Sequence, residues 1–433
     1  VPELGLIKNC RDAEDHVYGA QENYEVELAR GVWLGLYRAG LTLLMPWLLA
    51  MAALALLVQF LVVLVVLVLA LGALVGGVLF PRWQGLRWLA ELAEADESSI
   101  ARLFGRSQLV LSYALLGPAT TPLALLFELT TLRHLRGPML AFLVSRPVIT
   151  GVGTVDRQGR FGLAEKAPAV RRRMRRTISP KGRPIFDTGN LLKQAVAPMS
   201  LHLAPLFGLY RRRQRLQLGF GDSNAAQWAE YLKVATTALV LDMAEAGWLE
   251  DVPRVRRPIR ALHRLVSDPT LEARVAVRGG DPKTALELQR VYLDRADAFV
   301  RDAPAASLEA REVVALWRRV VEALEARRFD ELFGRVDWIT KRTLLEECRG
   351  AGGGDVLKTL DLRYHELGDG YLARLEARGL APVLVAEEEV ERAVRRPPED
   401  SPAFFRGALI RKQAGSRVQL RVSWEGAVIG GRL

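Results

Sequence analysis

The chain has 433 residues and a formal net charge of +11, supplied mostly by arginine. That length allows two or three domains, and the basic surplus points to an anionic partner: lipid, nucleotide or nucleic acid. Only two cysteines are present, Cys10 and Cys348, which excludes a disulfide scaffold and fits a reducing compartment.

The chain opens on Val1 rather than Met, so its natural beginning is expected upstream or on another chain. Residues 1 to 31 have soluble character, and alternation from Tyr24 to Ala29 predicts a strand. From Gly40 to Phe80 there is no Asp, Glu, Lys, Arg or His; Arg38 and Arg82 bracket the run. A membrane-spanning helix needs about 20 apolar residues, so two fit. Apolar character on every face is foreign to a soluble surface helix. The predicted arrangement is a transmembrane helical hairpin, about Leu41–Val58 and Phe60–Leu79, turning near Gln59. Arg30, Arg38, Arg82, Arg87, Arg102 and Arg106 would then stay on the cytoplasmic side of a bacterial inner membrane. The rival pairs one tilted helix with a third apolar stretch, Leu109–Leu132. That stretch contains Pro118, Pro122 and Glu128 and otherwise reads as an interfacial or buried helix.

Beyond Gly137 the character is soluble again. Leu140 to Val155 shows short apolar runs and Gly turns, and Leu216 to Phe220 a strand. Helical periodicity covers Trp228–Ala246, Pro282–Arg301, Ser307–Arg328 and Trp338–Arg349, with a Gly-rich loop at Gly350–Gly354. Glu387–Arg395 predicts a short charged helix, and Ala403–Ile429 alternates like the strands of a small β-rich unit. Basic clusters at Arg171–Arg176 and Arg211–Arg215 read first as solvated faces. The first of them could also meet anionic lipid. Without interleaved aromatic residues, nucleic acid is not an expected partner.

Three polar motifs stand out: Gly19-Ala20-Gln21-Glu22-Asn23-Tyr24, Arg183-Pro184-Ile185-Phe186-Asp187-Thr188 and Gly221-Asp222-Ser223-Asn224. Each alone is an ordinary turn composition. In series with others they carry more. Leu6-Ile7-Lys8-Asn9 precedes the first. Phe142-Leu143-Val144-Ser145-Arg146, Tyr231-Leu232-Lys233-Val234, Asp337-Trp338 with Lys341, Asp361-Leu362 with Tyr364-His365, and Phe405-Arg406-Gly407 with Ser423-Trp424 follow in order.

This ordered series resembles the Pup ligase and deamidase-of-Pup family. The resemblance implies an α+β, glutamine-synthetase-like catalytic domain, with a curved, mostly antiparallel sheet backed by helices and a small C-terminal β-rich domain. Together with the apolar run, which interrupts the resemblance, the expected layout is catalytic residues 1–38, a membrane insertion over 39–136, catalytic residues 137–380, and the small domain over 381–433. It implies ATP and Mg²⁺, and a carboxylate–amine ligase or amidase acting on a small protein tag or glutamate-ended peptide and a lysine-bearing protein.

The chain departs from the family at the implied site. Gln21 and Gln217 stand where imidazoles are usual, and an amide cannot titrate. Gly189-Asn190-Leu191-Leu192 replaces an acidic loop. The catalytic aspartate is expected in a segment before Val1, so no catalytic residue is assigned. The resemblance leaves Glu22, Gln21, Gln217 and Asp222 as metal candidates. Arg183, Asn23 and Asn224 are the nucleotide candidates, Arg183 because a guanidinium grips phosphate bidentately. Lys341 and Arg406 match family positions without an assigned role, and His365 reads as structural. The alternative to an enzyme is a catalytically impaired module that binds a nucleotide or partner at the membrane.

Overall fold

A computed structural model describes residues 6–12, 14, 16–18, 20–79, 114–156, 158–178, 182–302, 308–348, 354–399, 401–416, 418–422 and 427–430. The chain divides into two units, Val1–Arg374 and Leu375–Leu433.

Four strands with alternating burial build the central sheet of the first unit: β1 (Glu22–Glu27), β2 (Val170–Met174), β3 (Arg183–Asp187) and β4 (Arg213–Leu218). Their order is β1-β4-β3-β2; β1 and β3 run antiparallel to β4, and only β2 and β3 run parallel. The register sets Asn23 opposite Gln217, and Asp187 opposite Gln217 on the other side. Because side chains alternate across a strand, Glu22, Tyr24 and Val26 share one face with Leu216 and Leu218, and that face meets the helices. Gln21 and Asn23 on β1, with Arg215 and Gln217 on β4, take the other face.

Helix α1 (Gly31–Leu79) follows β1. Its 49 residues give a length of about 74 Å at about 1.5 Å per residue. The predicted hairpin is therefore corrected: no turn occurs near Gln59. Val58-Gln59-Phe60 contains no Gly, Pro, Asn or Asp, and glutamine is a good helix former, so the helix passes straight through. The first half of α1 belongs to the body. Tyr37, Leu41, Leu48, Met51 and Ala52 are buried, and the Tyr37 hydroxyl donates to the Leu209 carbonyl at 2.6 Å. Beyond Ala52 the apolar side chains are largely exposed, among them Leu57, Phe60, Leu64, Leu67 and Leu71.

Helix α2 (Ala114–Thr131) packs along α1 in the opposite sense. Trp47 Nε1 donates to the Pro118 carbonyl at 3.2 Å, and Tyr37 meets Phe127 with ring centroids 5.7 Å apart. The part of the third apolar stretch before Ala114 lies outside the described residues, as do Arg82, Arg87, Arg102 and Arg106. The described part is a buried helix, with Ala119, Leu123 and Phe127 inaccessible. It ends in a π-helical turn, Phe127–Thr131. There the Thr130 and Thr131 hydroxyls bond back to the Leu126 and Phe127 carbonyls, a pattern that bends helices. Helix α3 (Arg133–Ser145) leaves at 86°. The Gly turns expected over Leu140–Val155 thus begin only after α3 and the short helix Pro147–Thr150.

Helices α4 (Gln227–Glu245), α5 (Ala285–Asp302), α6 (Leu308–Glu325) and α7 (Asp337–Cys348) lie close to their predicted bounds. Their core is joined to α3 by Phe142, whose ring sits edge-on to Tyr292 at 5.5 Å and Trp317 at 5.8 Å. Most of the Gly350–Gly354 loop, and Ser423-Trp424, lie outside the described residues.

The second unit corrects another expectation. It is led by helices Glu387–Arg395 and Pro402–Gln413, and its only described strands are the antiparallel pair Leu420–Val422 and Ala427–Ile429. Ser401 and Pro402 supply the helix start: the Ser401 Oγ accepts from the Ala403 amide at 3.1 Å, and proline stands at the first helical position.

Candidate functional site

The face of the sheet turned from the helices gathers most of the residues singled out from sequence. Gln21 accepts from the Gln217 amide, and Asn23 accepts from Arg215 Nε at 2.7 Å. At the far side of the face Arg183 donates to the Val17 carbonyl at 2.6 Å, and Asp187 is paired with Arg175 at 3.1 Å. A pocket of about 460 Å³ opens beside β1, lined by Lys8, Gln21, Asn23, Ser223, Glu230 and Lys233 among others. Glu22 and Tyr24 line it too, and its carboxylates are both paired, Glu230 with Lys233 at 2.9 Å and Glu22 with Arg146 at 2.7 Å.

Glu22 is engaged elsewhere. Both its oxygens accept from the Arg146 guanidinium at 2.7 Å, and Oε2 also accepts from the Tyr24 hydroxyl at 2.7 Å. Arg146 Nη1 adds a bond to the Thr237 hydroxyl at 2.6 Å. Burial pushes the Glu22 carboxyl up, but Arg146 more than offsets it and holds the group below its ordinary range. Gly221 is required beside this pair, because a Cβ there would stand 2.1 Å from Glu22 Oε1.

Asp222 and Asn224 lie beneath the site, fully enclosed. The Asp222 carboxylate accepts from the amides of Val152, Glu165 and Lys166 at 3.3, 3.1 and 2.9 Å. Burial raises its carboxyl above the ordinary range. Asn224 donates to the Thr150 carbonyl and to Asp337, both at 2.8 Å. These two residues fix the turn rather than face an open ligand space.

A second buried cluster went unrecognised in the sequence. Lys341 Nζ contacts the Gly153 carbonyl at 2.8 Å, Asp361 at 2.8 Å, His365 Nε2 at 2.9 Å and Glu165 at 3.7 Å. Asp361 is the counter-ion. Burial pushes Glu165 up to about 8, opposed by Lys341 and reinforced by Asp222 and Asp361. Burial and the Lys341 charge hold His365 well below its ordinary range, as a neutral structural imidazole. Glu165 also accepts from the Cys10 amide at 2.8 Å, and the Lys8 amide donates to the His365 carbonyl at 2.9 Å. The motif order had marked Arg146, Lys341 and Asp361, but spacing along the chain carries no sign of these pairings, and Glu165 lay in no motif.

Among the described residues no group of three or more His, Cys, Asp or Glu side chains is arranged to hold a metal. Mg²⁺ prefers carboxylate oxygens. Of the metal candidates, Glu22 is occupied by Arg146, Asp222 by backbone amides, and Gln21 and Gln217 by each other. The described donor set does not fit the ion, and no step is derived through it.

A family model described as Pup-ligase protein matches residues 2–428. The Pup–protein ligase of Acidimicrobium ferrooxidans is 34% identical over 295 residues, covering 66% of this chain and 61% of that protein. The Pup deamidase/depupylase of Mycolicibacterium smegmatis is 34% identical over 289 residues, covering 63% of this chain and 53% of that protein. The chain thus spans only part of the length of the curated relatives it matches. The solved structure of the Pup ligase PafA in complex with ADP matches with a TM-score of 0.61 at 19% identity, over 98% of this chain and 70% of that one. The complex between Pup and PafA gives 0.61 at 20% identity, over 97% and 65%. At this identity the likeness establishes the fold, a mixed α+β architecture.

Proposed function

The chain belongs to the Pup-ligase family, and from that premise we propose that its open sheet face binds a nucleotide and the glutamate end of a Pup-like tag without turning them over on these residues alone. The observation that carries this reading is the pairing on that face. Gln21 with Gln217 and Asn23 with Arg215 pair amides and a guanidinium with one another, while both acidic candidates are already engaged, Glu22 by Arg146 and Asp222 by backbone amides. Arg183, Arg215 and Asn23 are the groups assigned to the nucleotide. Asp222 and Asn224 hold the floor. The relatives support the ligands: PafA was solved with ADP and with Pup. The test is ATP turnover by the purified chain with Mg²⁺, alongside nucleotide binding by calorimetry. Binding without turnover is expected; robust turnover by the chain alone overturns the reading.

A second reading is an ATP-dependent ligase or amidase completed by additional residues. It is favoured by one feature. β1 is an edge strand among the described residues, paired only with β4, and its free side is open to a further strand beside Gln21 and Asn23. Turnover that appears only when a carboxylate-bearing segment is added back favours this reading.

We also propose that α1 holds the protein at a membrane with the body on the cytoplasmic side. The support is the stretch Gly31–Val65, whose most apolar 18-residue window has a mean hydropathy of 2.9 and is 17% buried, with Arg30 and Arg38 at its start. The division of the body into residues 1–38 with 137–380, and 381–433, belongs to the same proposal.

A further inference from the structure

A pocket of about 900 Å³ is lined by none of the residues of the open sheet face. It lies between the α2–α3 bend, β2 and the loops at 254–258 and 277–279. Seven arginines line it against a single carboxylate, Glu128. Glu128 is already shared: Arg136 reaches it at 2.8 Å, and Arg173 and Arg176 at 2.9 Å each. Arg133 lies over the Trp33 ring at 4.5 Å. Arg254, Arg256, Arg257 and Arg278 form no ion pair with a carboxylate among the described residues.

So many like charges in one concavity repel one another, and one carboxylate cannot neutralise them. Burial, and then the neighbouring Arg173 charge, push the Arg136 guanidinium below its ordinary range, with Glu128 opposing. Two further features add positive potential or order. Helix Pro258–Val266 begins at this pocket, so the positive end of its dipole lies beside the same space. Arg257, the residue before it, is held at φ 108°, a left-handed conformation that costs a non-glycine residue energy.

We infer that this pocket binds a compact anion carrying phosphate groups, from either a phospholipid headgroup or a soluble phosphate compound. Guanidinium groups pair with phosphate oxygens bidentately, which suits several arginines converging on one volume. The lining contains no aromatic side chain on which a base could stack, so a nucleic-acid strand is not the ligand argued for. The pocket also sits at the root of α1. Trp33 and Tyr37 of that helix touch Arg133 and Phe127, which flank the pocket's Glu128 and Leu129. An anion there is therefore bound next to the segment proposed to meet the membrane.

The experiment uses the full chain in uncharged detergent micelles. Calorimetric titration with pyrophosphate is compared for the wild type, the variant Arg254→Gln/Arg257→Gln/Arg278→Gln, and the control Arg301→Gln, whose arginine is paired with Asp297. The same three proteins are then compared for binding to micelles doped with phosphatidylglycerol or with phosphatidylcholine. The expected result is binding weakened about a hundredfold in the triple variant and unchanged in the control. Loss in the pyrophosphate arm identifies a soluble phosphate ligand; loss confined to the phosphatidylglycerol arm identifies a headgroup. Equal binding by the wild type and the triple variant in both arms overturns the proposal. So does tighter, pocket-dependent binding of a single-stranded oligonucleotide than of either phosphate probe.

Discussion

Arg146, at the end of α3, and Glu22, in β1, form a bidentate ion pair with both N–O distances at 2.7 Å and both side chains almost inaccessible. The pair fastens the edge strand of the sheet to the helical layer. Arg146→Met is expected to cost about 3–5 kcal/mol in urea unfolding, because it leaves a carboxylate buried without its counter-ion. Adding Glu22→Leu should recover much of that loss. A single-variant cost below about 1 kcal/mol would show that the pair is not what holds β1.

The same pair sets a sign for acid. Glu22 titrates below its ordinary value of 4.5, so its contribution is complete above that pH and is lost as the pH falls through the native value. Unfolding at stepped acidic pH should show the wild type losing stability faster than Arg146→Met/Glu22→Leu. Parallel curves would contradict the assignment.

Glu165 has the opposite sign. Its carboxyl is raised to about 8, so between 4.5 and about 8 the native state keeps a proton that the unfolded chain releases. Stability should fall as pH rises through that window, and Glu165→Gln should flatten the slope, since the amide is uncharged throughout. An unchanged slope in the variant would place the titration elsewhere.

Arg183→Ala removes the guanidinium assigned to phosphate and its bond to the Val17 carbonyl. Nucleotide affinity should fall about tenfold, the scale of one charge-assisted contact, with little change in the melting temperature. Calorimetry with ATP and a thermal melt on the same sample separate the two effects. A lower melting temperature with full affinity would make Arg183 a purely structural residue.

Replacing Leu57, Phe60, Leu64, Leu67 and Leu71 with serine changes only exposed positions of α1. The protein should move from the membrane fraction to the soluble fraction with its unfolding midpoint unchanged. Excising Leu41–Leu79 instead would strip Leu41, Leu48, Met51 and Ala52 from the core and destabilise the body. Continued sedimentation of the serine variant with membranes would move the attachment to another surface.

Much of the helical body was legible because 3.6-residue periodicity reports a buried face directly, as in α4 to α7. The strands around Tyr24 and Leu216 were legible for the matching reason at period two. Uniformly apolar sequence has no phase, which is why the Gly40–Phe80 run disclosed a helix but not whether it turned, and why its buried half could not be told from its exposed half. In Pro402–Gln413 the strand reading followed alternation and passed over the cap at Ser401. At the site, the sequence named Glu22 and Asp222 but not their partners. Arg146 lies 124 positions from Glu22 and Glu165 lies 57 from Asp222, and only the folded chain brings those groups together.

The pairing of β1 with β4 joins residues 22–27 to 213–218, and the two-residue strand Leu6–Ile7 waits for Glu366–Leu367. During synthesis, α1 leaves the ribosome while neither partner yet exists. A long apolar helix must therefore find its lodging first, and the domain around its base closes only when the last sixth of the chain has begun to emerge. Long-range pairings of this kind fold slowly and leave strand edges open meanwhile. In the nascent chain both edges of β1 therefore stay unpaired until residues 213–218 have followed it.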